Sequence, residues 1–274
     1  MEYKGYKIVK DTDPALAVFY GGNETLFDLL ENEYLIVENE NGEYVDGYVS
    51  RNGKVSRIPY TKFENSFSGA LKPRNPQQIA LFEMLANKDT TVKLVAGGFG
   101  CGKTLSLVVA ALDAIAKGRF DKIIWVRNNV EVKDTVPLGA LPGDSIDKLL
   151  PFAMPLADHC GGVDGLERLL DQGSVEIVHL GHLRGRDIKN SVIICSEAEN
   201  LTKSHIQLLI GRVGEGSNLW LDGDLKQRDK TIFEKSAGLE TMIDRLKGNK
   251  LFGYVKLTKT ERSETARLAD LLDD

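Results

Sequence analysis

The stretch Leu94–Ser106, LVAGGFGCGKTLS, constrains the fold more than any other. An apolar run, a glycine-rich turn and a Lys-Thr pair follow one another there, at the start of an apolar helical pattern. Gly97, Gly102, Lys103 and Thr104 satisfy the spacing G-x-x-x-x-G-K-[ST], in which backbone N–H groups wrap phosphate oxygens. Glycines permit positive φ and close approach of the backbone to an anion. A helix opening near Gly102 adds unsatisfied N–H groups and the positive end of its dipole. On this spacing Lys103 reaches the β- and γ-phosphates of a nucleotide, and Thr104 turns its hydroxyl to Mg²⁺. Val92–Ala96 reads as a buried strand and Leu105–Ala116 as an apolar helix, the strand–loop–helix setting that separates this motif from a chance glycine-rich turn. The candidate ATP contacts therefore run from Gly97, Gly98, Phe99 and Gly100 through Cys101 and Gly102 to Lys103, Thr104 and Leu105.

A second buried strand at Lys122–Arg127 completes a βαβ unit, which requires a parallel sheet and sets the class as α/β. Val175–Val178, Ser191–Ile194 and Asn218–Leu221 extend the pattern to an open parallel sheet of about five strands. The helix expected between the last two carries His205, Gln207 and Arg212. A phosphate-handling enzyme of this kind needs a carboxylate at the end of a neighbouring strand, and VIICSEAEN, Val192–Asn200, is the apolar strand that ends so. Glu197 is the candidate, positioned to polarise an attacking water. Asp224 and Gln227 follow the next strand and point at the same crevice, at the carboxyl ends of the strands. Arg184 and Arg186 flank Gly185 ahead of the Ser191 strand; a phosphate clamp and an exposed turn fit that element equally. His179, His182 and His205 share no helical face at metal-ligand spacing. The proline-marked stretch from Asn128 to His159 reads as an insertion beside the nucleotide site.

Residues 1–70 differ in texture. Tyr34–Val37, Tyr44–Val49 and Val55–Ile58 are strand candidates separated by Asn41-Gly42 and Asn52-Gly53, which predicts a three-stranded meander in a small β-rich appendage. Its tyrosines, Tyr34, Tyr44, Tyr48 and Tyr60, suit a small core better than base stacking. LKPRNP, Leu71–Pro76, marks the boundary with a second region, 71–274, and Pro76 suits the first turn of a helix through Gln77–Ala86. Gln77 and Gln78 stand just upstream of the phosphate-loop strand, where many nucleic-acid-dependent ATPases put a glutamine that reads adenine; a solvated helix start is the plainer reading.

Composition narrows the function classes. No apolar stretch approaches the roughly 18–20 residues that span a bilayer, and the N-terminus MEYKGYKIVKDTD has no signal-peptide core. Three cysteines, Cys101, Cys160 and Cys195, have no metal-ligand spacing and suit a reducing cytoplasm. A net charge of −5 gives no global attraction to nucleic acid, so such a partner must be held by local Lys and Arg clusters.

Taken together, these residues resemble the PhoH-like ATPase family over about Pro73 to Leu272. The resemblance rests on ordered blocks: PRNPQQ, GGFGCGKT, LPGD, LRGR, SEAENLT, GRVGEG, GDLKQRD and ERSE. It implies a RecA-like P-loop NTPase fold, akin to superfamily-one helicases, with helices on both faces of the parallel sheet. It implies that Gln78 lies near adenine, that Lys103 and Thr104 hold phosphate and Mg²⁺, and that Glu197 is the catalytic base, also close to the metal. It further implies that Gln227 senses the γ-phosphate and that Arg262, in ERSE, is an arginine finger. With a single RecA-like region in the chain, that finger reaches a neighbouring subunit, so a homo-oligomeric ring, a hexamer among the possibilities, is expected. Some relatives carry an N-terminal PIN nuclease domain; residues 1–70 are too short for one and lack its acidic cluster, so no nuclease activity is expected.

Two positions depart from the family. Cys101 replaces a small Thr in the loop, and Ser196 replaces the aspartate that precedes the catalytic glutamate and helps anchor Mg²⁺. The expectation is thus an ATP- and Mg²⁺-dependent ATPase, helicase-like, working on RNA or single-stranded DNA. The alternative is an ATP-binding module with little turnover owing to Ser196, and a small-molecule kinase comes third, because Gln227 and Arg262 look like sensors of γ-phosphate loss.

Overall fold

Alternation and turn chemistry build the first sheet. The computed structural model describes residues 2–67, 69–127, 153–225 and 238–261 of the 274. Strands β1 (Tyr6–Lys10), β2 (Tyr34–Glu38), β3 (Tyr44–Arg51) and β4 (Lys54–Arg57) pair in chain order, with helix α1 (Ala15–Tyr20) between the first two. The expected meander is β2–β4. Asn52 and Gly53, both at positive φ (51° and 72°), make the tight turn that sets the β3–β4 register, Ser50 opposite Val55. The meander expectation missed β1, which pairs parallel with β2. A parallel partner has no hairpin turn to announce it, and YKIVK is short, with lysines at two of its five positions.

Tyr34 is fully buried and Tyr48 packs edge-on against Phe19, ring centroids 5.0 Å apart, whereas Tyr60 is 64% exposed. The Tyr34 hydroxyl donates to Glu83 Oε2 at 2.6 Å, and Arg51 grips both oxygens of the same carboxylate at 2.6 and 2.7 Å. Glu83 lies on α2 (Pro76–Ala86), so the fork ties the first sheet to that helix. Arg51→Ala would leave Glu83 buried without its guanidinium partner, held by the Tyr34 hydroxyl. We expect it to lower unfolding free energy in urea by about 3–5 kcal/mol, and Arg51→Ala with Glu83→Gln to recover part of that loss.

Helix α2 begins as its sequence predicts: Asn75 Oδ1 accepts from the Gln78 N–H at 3.0 Å, with Pro76 in the first turn. Fully buried Lys93 serves the other end, its Nζ donating to the carbonyls of Leu85 and Asn87 at 3.0 and 2.6 Å.

A two-stranded hairpin, β5 (Phe63–Asn65) with β6 (Gly69–Leu71), precedes α2 in the chain. After it come β7 (Val92–Gly97), α3 (Lys103–Ala116), β8 (Lys122–Arg127), α4 (Met154–Ala157), α5 (Gly162–Asp171), β9 (Val175–His179) and β10 (Ser191–Cys195). Then follow α6 (Lys203–Ile210), β11 (Asn218–Gly223), α7 (Gly238–Leu246) and β12 (Phe252–Leu257). Six parallel strands follow, β12 beside β7 and, separately, the order β11–β10–β8–β9. The β12–β7, β11–β10, β10–β8 and β8–β9 pairings are parallel. Every residue of β7, β10 and β11 is buried, as strands covered on both faces require.

The expected five strands become six because β12 was not read as one. Its Gly253 breaks the apolar run of FGYVKL and weakens strand propensity, yet a Cβ there would come within 2.9 Å of the Met84 side chain on α2, so glycine lets the helix lie close on the strand. Helix α6 ends at Ile210, leaving Arg212 beyond it, where its Nη1 donates to the Arg186 carbonyl.

The residues cluster into two compact units. One takes in the chain to Lys62, Lys72–Gly102 and the chain from Ile243; the other takes in Phe63–Leu71 and Lys103–Met242. Within the first, β7 and β12 pair and α2 packs on β12. Within the second, β11, β10, β8 and β9 carry the buried Trp125 and Trp220. Among the described residues no helix is long and apolar enough to cross a membrane.

Candidate functional site

The glycine arm of the loop leaves β7 at Gly97, where a Cβ would meet the Leu257 carbonyl at 2.5 Å and the Cys101 sulfur at 2.8 Å; only glycine fits. Cys101 is buried, its Sγ–H donating to the Gly98 carbonyl at 3.0 Å, so this departure from the family serves the loop's own turn. Gly98 and Phe99 are exposed at the tip.

Helix α2 braces this arm. Gln77 and Gln78 are 3% and 6% exposed, against the plainer reading of a solvated helix start. Gln78 Oε1 accepts from the Arg74 N–H at 2.8 Å and its Nε2 donates to the Cys101 carbonyl at 3.3 Å. Gln77 exchanges two hydrogen bonds of 2.7 Å with Thr258, and Asn75 Nδ2 donates to Glu261 Oε1 at 2.7 Å. The Glu261 N–H donates in turn to the Gly100 carbonyl at 3.1 Å. Sequence reasoning gave Gln78 to a ligand; in the structure its amide also fixes the backbone of the loop.

The second unit carries the other half of the motif. Half-buried Lys103 and Thr104 open α3. Strands β10 and β11 are adjacent and parallel; Ser196 directly follows β10, and Asp222 is the next-to-last residue of β11. Asp222 is 2% exposed, and its Oδ1 accepts from the Ser196 hydroxyl at 3.1 Å and from the Glu197 N–H at 3.2 Å. Burial pushes the Asp222 carboxyl up, while the Lys103 ammonium, the Thr104 hydroxyl and the two donors just named draw it back.

Glu197, half-buried, has left-handed backbone (φ 55°, ψ 44°) where the chain enters a 3₁₀ turn over Ala198–Asn200. A non-glycine residue held there stores about 1–3 kcal/mol of strain, which is characteristic of functional sites. Glu199 Oε2 accepts from the Asp224 N–H at 3.0 Å and so holds the turn after β11. Burial, reinforced by the Asp222 and Glu197 carboxylates, pushes the Glu199 carboxyl up to about 8.

Sequence reasoning missed Asp222, which it passed over for Asp224. The available signal was an acid at the end of an otherwise apolar strand, NLWLDG. Among the described residues no group of three or more His, Cys, Asp and Glu side chains is arranged to hold a metal.

The RGR element resolves in part. Arg186 makes a two-pronged ion pair with Glu176, at 2.7 and 3.2 Å, and this hydrogen bonding holds the Glu176 carboxyl below its ordinary value. Arg184 is exposed. His179 Nδ1 accepts from the Gly181 N–H at the start of a 3₁₀ turn. Cys160 is buried, which pushes its thiol up to about 12 and makes it a poor nucleophile. Gln227, Arg262, the LPGD block and the proline-marked stretch as far as residue 152 lie outside the described residues.

Comparison with known proteins adds sequence kinship. A family model described as PhoH-like protein matches residues 70–269. Protein PhoH2 of Bacillus subtilis (strain 168) is 33% identical over 291 residues, an alignment covering 98% of this chain and 64% of that protein. A PhoH-like protein of the same bacterium is 36% identical over 168 residues, 60% of this chain and 52% of its own length. The chain thus spans less than two-thirds of either relative. Among solved structures, a large terminase from a thermophilic bacteriophage overlaps 68% of this chain and 45% of its own at 10% identity, with a TM-score of 0.38, too loose a likeness to carry argument.

Proposed function

This chain belongs to the PhoH family, and from that premise we propose that it binds ATP with Mg²⁺ and hydrolyses it, in a cycle that answers to RNA or single-stranded DNA. The observation that carries the reading is the Lys103-Thr104 start of α3, directly after the glycine arm, with a buried carboxylate beside both side chains. In this reading the loop N–H groups and Lys103 hold the phosphates. Thr104 orients the metal, and Glu197 orients and deprotonates water. Mg²⁺, held through the Thr104 hydroxyl, would offset the negative charge that gathers on the phosphates. Gln227 senses the γ-phosphate and Gln78 contacts adenine. Residues 1–70 form an appendage to the ATPase region in 71–274. The nucleic-acid part rests on the helicase-like blocks SEAENLT and GDLKQRD.

Mg²⁺-dependent ATP hydrolysis, with and without single-stranded RNA and DNA, tests this. Stimulated turnover is the expected result. Equal rates without polymer remove the nucleic-acid dependence. No turnover under any condition favours the binding module, and phosphoryl transfer to a small acceptor favours a kinase. Lys103→Ala is expected to lower turnover roughly 10²–10³-fold, the cost of losing one preorganised electrostatic donor. The chain stays folded, because half-buried Lys103 fills no core. Wild-type affinity and turnover in this variant would sink the P-loop assignment.

A further inference from the structure

We infer that Asp222, at the end of β11, supplies the carboxylate that secures Mg²⁺ in the nucleotide complex, and that Ser196 positions it; this deepens the ATPase reading above and rests on it. The argument starts from a bonding imbalance. Asp222 is 2% exposed, and its Oδ1 accepts from the Ser196 hydroxyl at 3.1 Å and the Glu197 N–H at 3.2 Å. Its Oδ2 is buried and has no hydrogen-bond partner among the described residues. An unpaired buried carboxylate oxygen carries its full desolvation cost, so a native fold that keeps one has a use for it: a ligand, an ion or a water.

Its neighbours say which. Lys103 and Thr104, the two side chains that the loop spacing assigns to phosphate and Mg²⁺, both act on this carboxylate. One buried carboxylate beside one hydroxyl matches how Mg²⁺ is bound with a nucleotide, through few protein groups, directly or by way of its waters. Ser196 carries no charge to offer a metal, and its hydroxyl donates to Oδ1. Asp224 is the other acid after β11, and its N–H is engaged by Glu199 at 3.0 Å, in the turn that follows the strand. The negative charge that the sequence lacks at position 196 is thus present one strand over, on the parallel neighbour of β10.

The test is calorimetric titration of the full chain with a non-hydrolysable ATP analogue, in Mg²⁺ and in EDTA. It compares wild type, Asp222→Asn, and Asp222→Asn combined with Ser196→Asp. We expect wild type to bind more tightly in Mg²⁺ than in EDTA. Asp222→Asn loses ~10–100-fold of affinity in Mg²⁺, the loss typical when a group supporting a metal is removed, and keeps its affinity in EDTA. The double variant, with a carboxylate restored on β10, regains part of the Mg²⁺ dependence. If Asp222→Asn keeps the wild-type Mg²⁺ dependence, the carboxyl is a neutral structural group that asparagine mimics, and the inference fails alone. A wild type that binds equally in Mg²⁺ and EDTA also overturns it and leaves the nucleotide reading standing. A wild type that binds no analogue in either condition overturns both. Should Asp222→Asn bind nothing at all, the double variant decides: recovery of Mg²⁺-dependent binding supports the inference, and none refutes it.

Discussion

Replacement of Arg262 by alanine is expected to slow ATP turnover roughly 10³–10⁵-fold and to leave ATP affinity nearly unchanged, because an arginine finger stabilises charge that develops only as the phosphoryl group transfers. Arg262 lies outside the described residues, and its role is implied by the ERSE block, Glu261–Glu264. We propose that it acts on the nucleotide of a neighbouring subunit. Mixing then becomes diagnostic. Arg262→Ala chains keep an intact loop and Lys103→Ala chains keep an intact finger, so mixed assemblies regain hydrolysis that neither variant shows by itself. Oligomer formation, read by sedimentation of the wild type, is the companion result. There is a structural reason to run the mixing experiment rather than assume its outcome. Glu261, one residue earlier, donates its N–H to Gly100 of its own chain at 3.1 Å and accepts from Asn75 at 2.7 Å. If Arg262→Ala cripples turnover and no mixing ratio restores it, the finger works within its own chain. A monomer with normal ATPase activity would exclude the trans arrangement outright.

The strands that run between strong local signals were legible in the sequence. Val92–Gly97 and Lys122–Arg127 are apolar runs bounded by a glycine-rich turn or by charge, and they appear within a residue of their expected limits. Sequence patterning failed where the deciding partner is distant in the chain. Tyr6–Lys10 becomes a strand because Tyr34–Glu38 lies alongside it. Phe252–Leu257 does so because Val92–Gly97 and Met84 are there to receive it, glycine included. The same distinction runs through the site. Loop spacing announces Lys103 and Thr104 locally. Asp222 becomes conspicuous only when β10 and β11 lie side by side and bring Ser196 to 3.1 Å from it, a pairing across 26 residues of chain. Reading position 196 alone led to the expectation of a missing charge. A strand pair has two sides, and a buried carboxyl stands on the other one.

That arrangement also separates two glutamates that the sequence cannot rank by position alone. Glu197→Gln is expected to lower the single-turnover rate of ATP hydrolysis by roughly 10²–10⁴, the usual contribution of a general base, with ATP-analogue affinity retained. Glutamine keeps the volume and most of the hydrogen bonding of glutamate, and it cannot take a proton from water. The backbone conformation survives the change, since the Glu197 N–H to Asp222 Oδ1 bond is made by the main chain. Glu199 is the internal control. Its carboxyl, pushed up to about 8 by burial and by the neighbouring Asp222 and Glu197 carboxylates, is largely protonated at neutral pH and so poorly suited to accept a proton there. Its structural bond, from the Asp224 N–H to Oε2 at 3.0 Å, can be kept by the carbonyl oxygen of glutamine. Glu199→Gln should therefore change the rate little. A Glu197→Gln chain that hydrolyses ATP at the wild-type rate would remove Glu197 as the base, and a large loss confined to Glu199→Gln would move that role two residues along the turn.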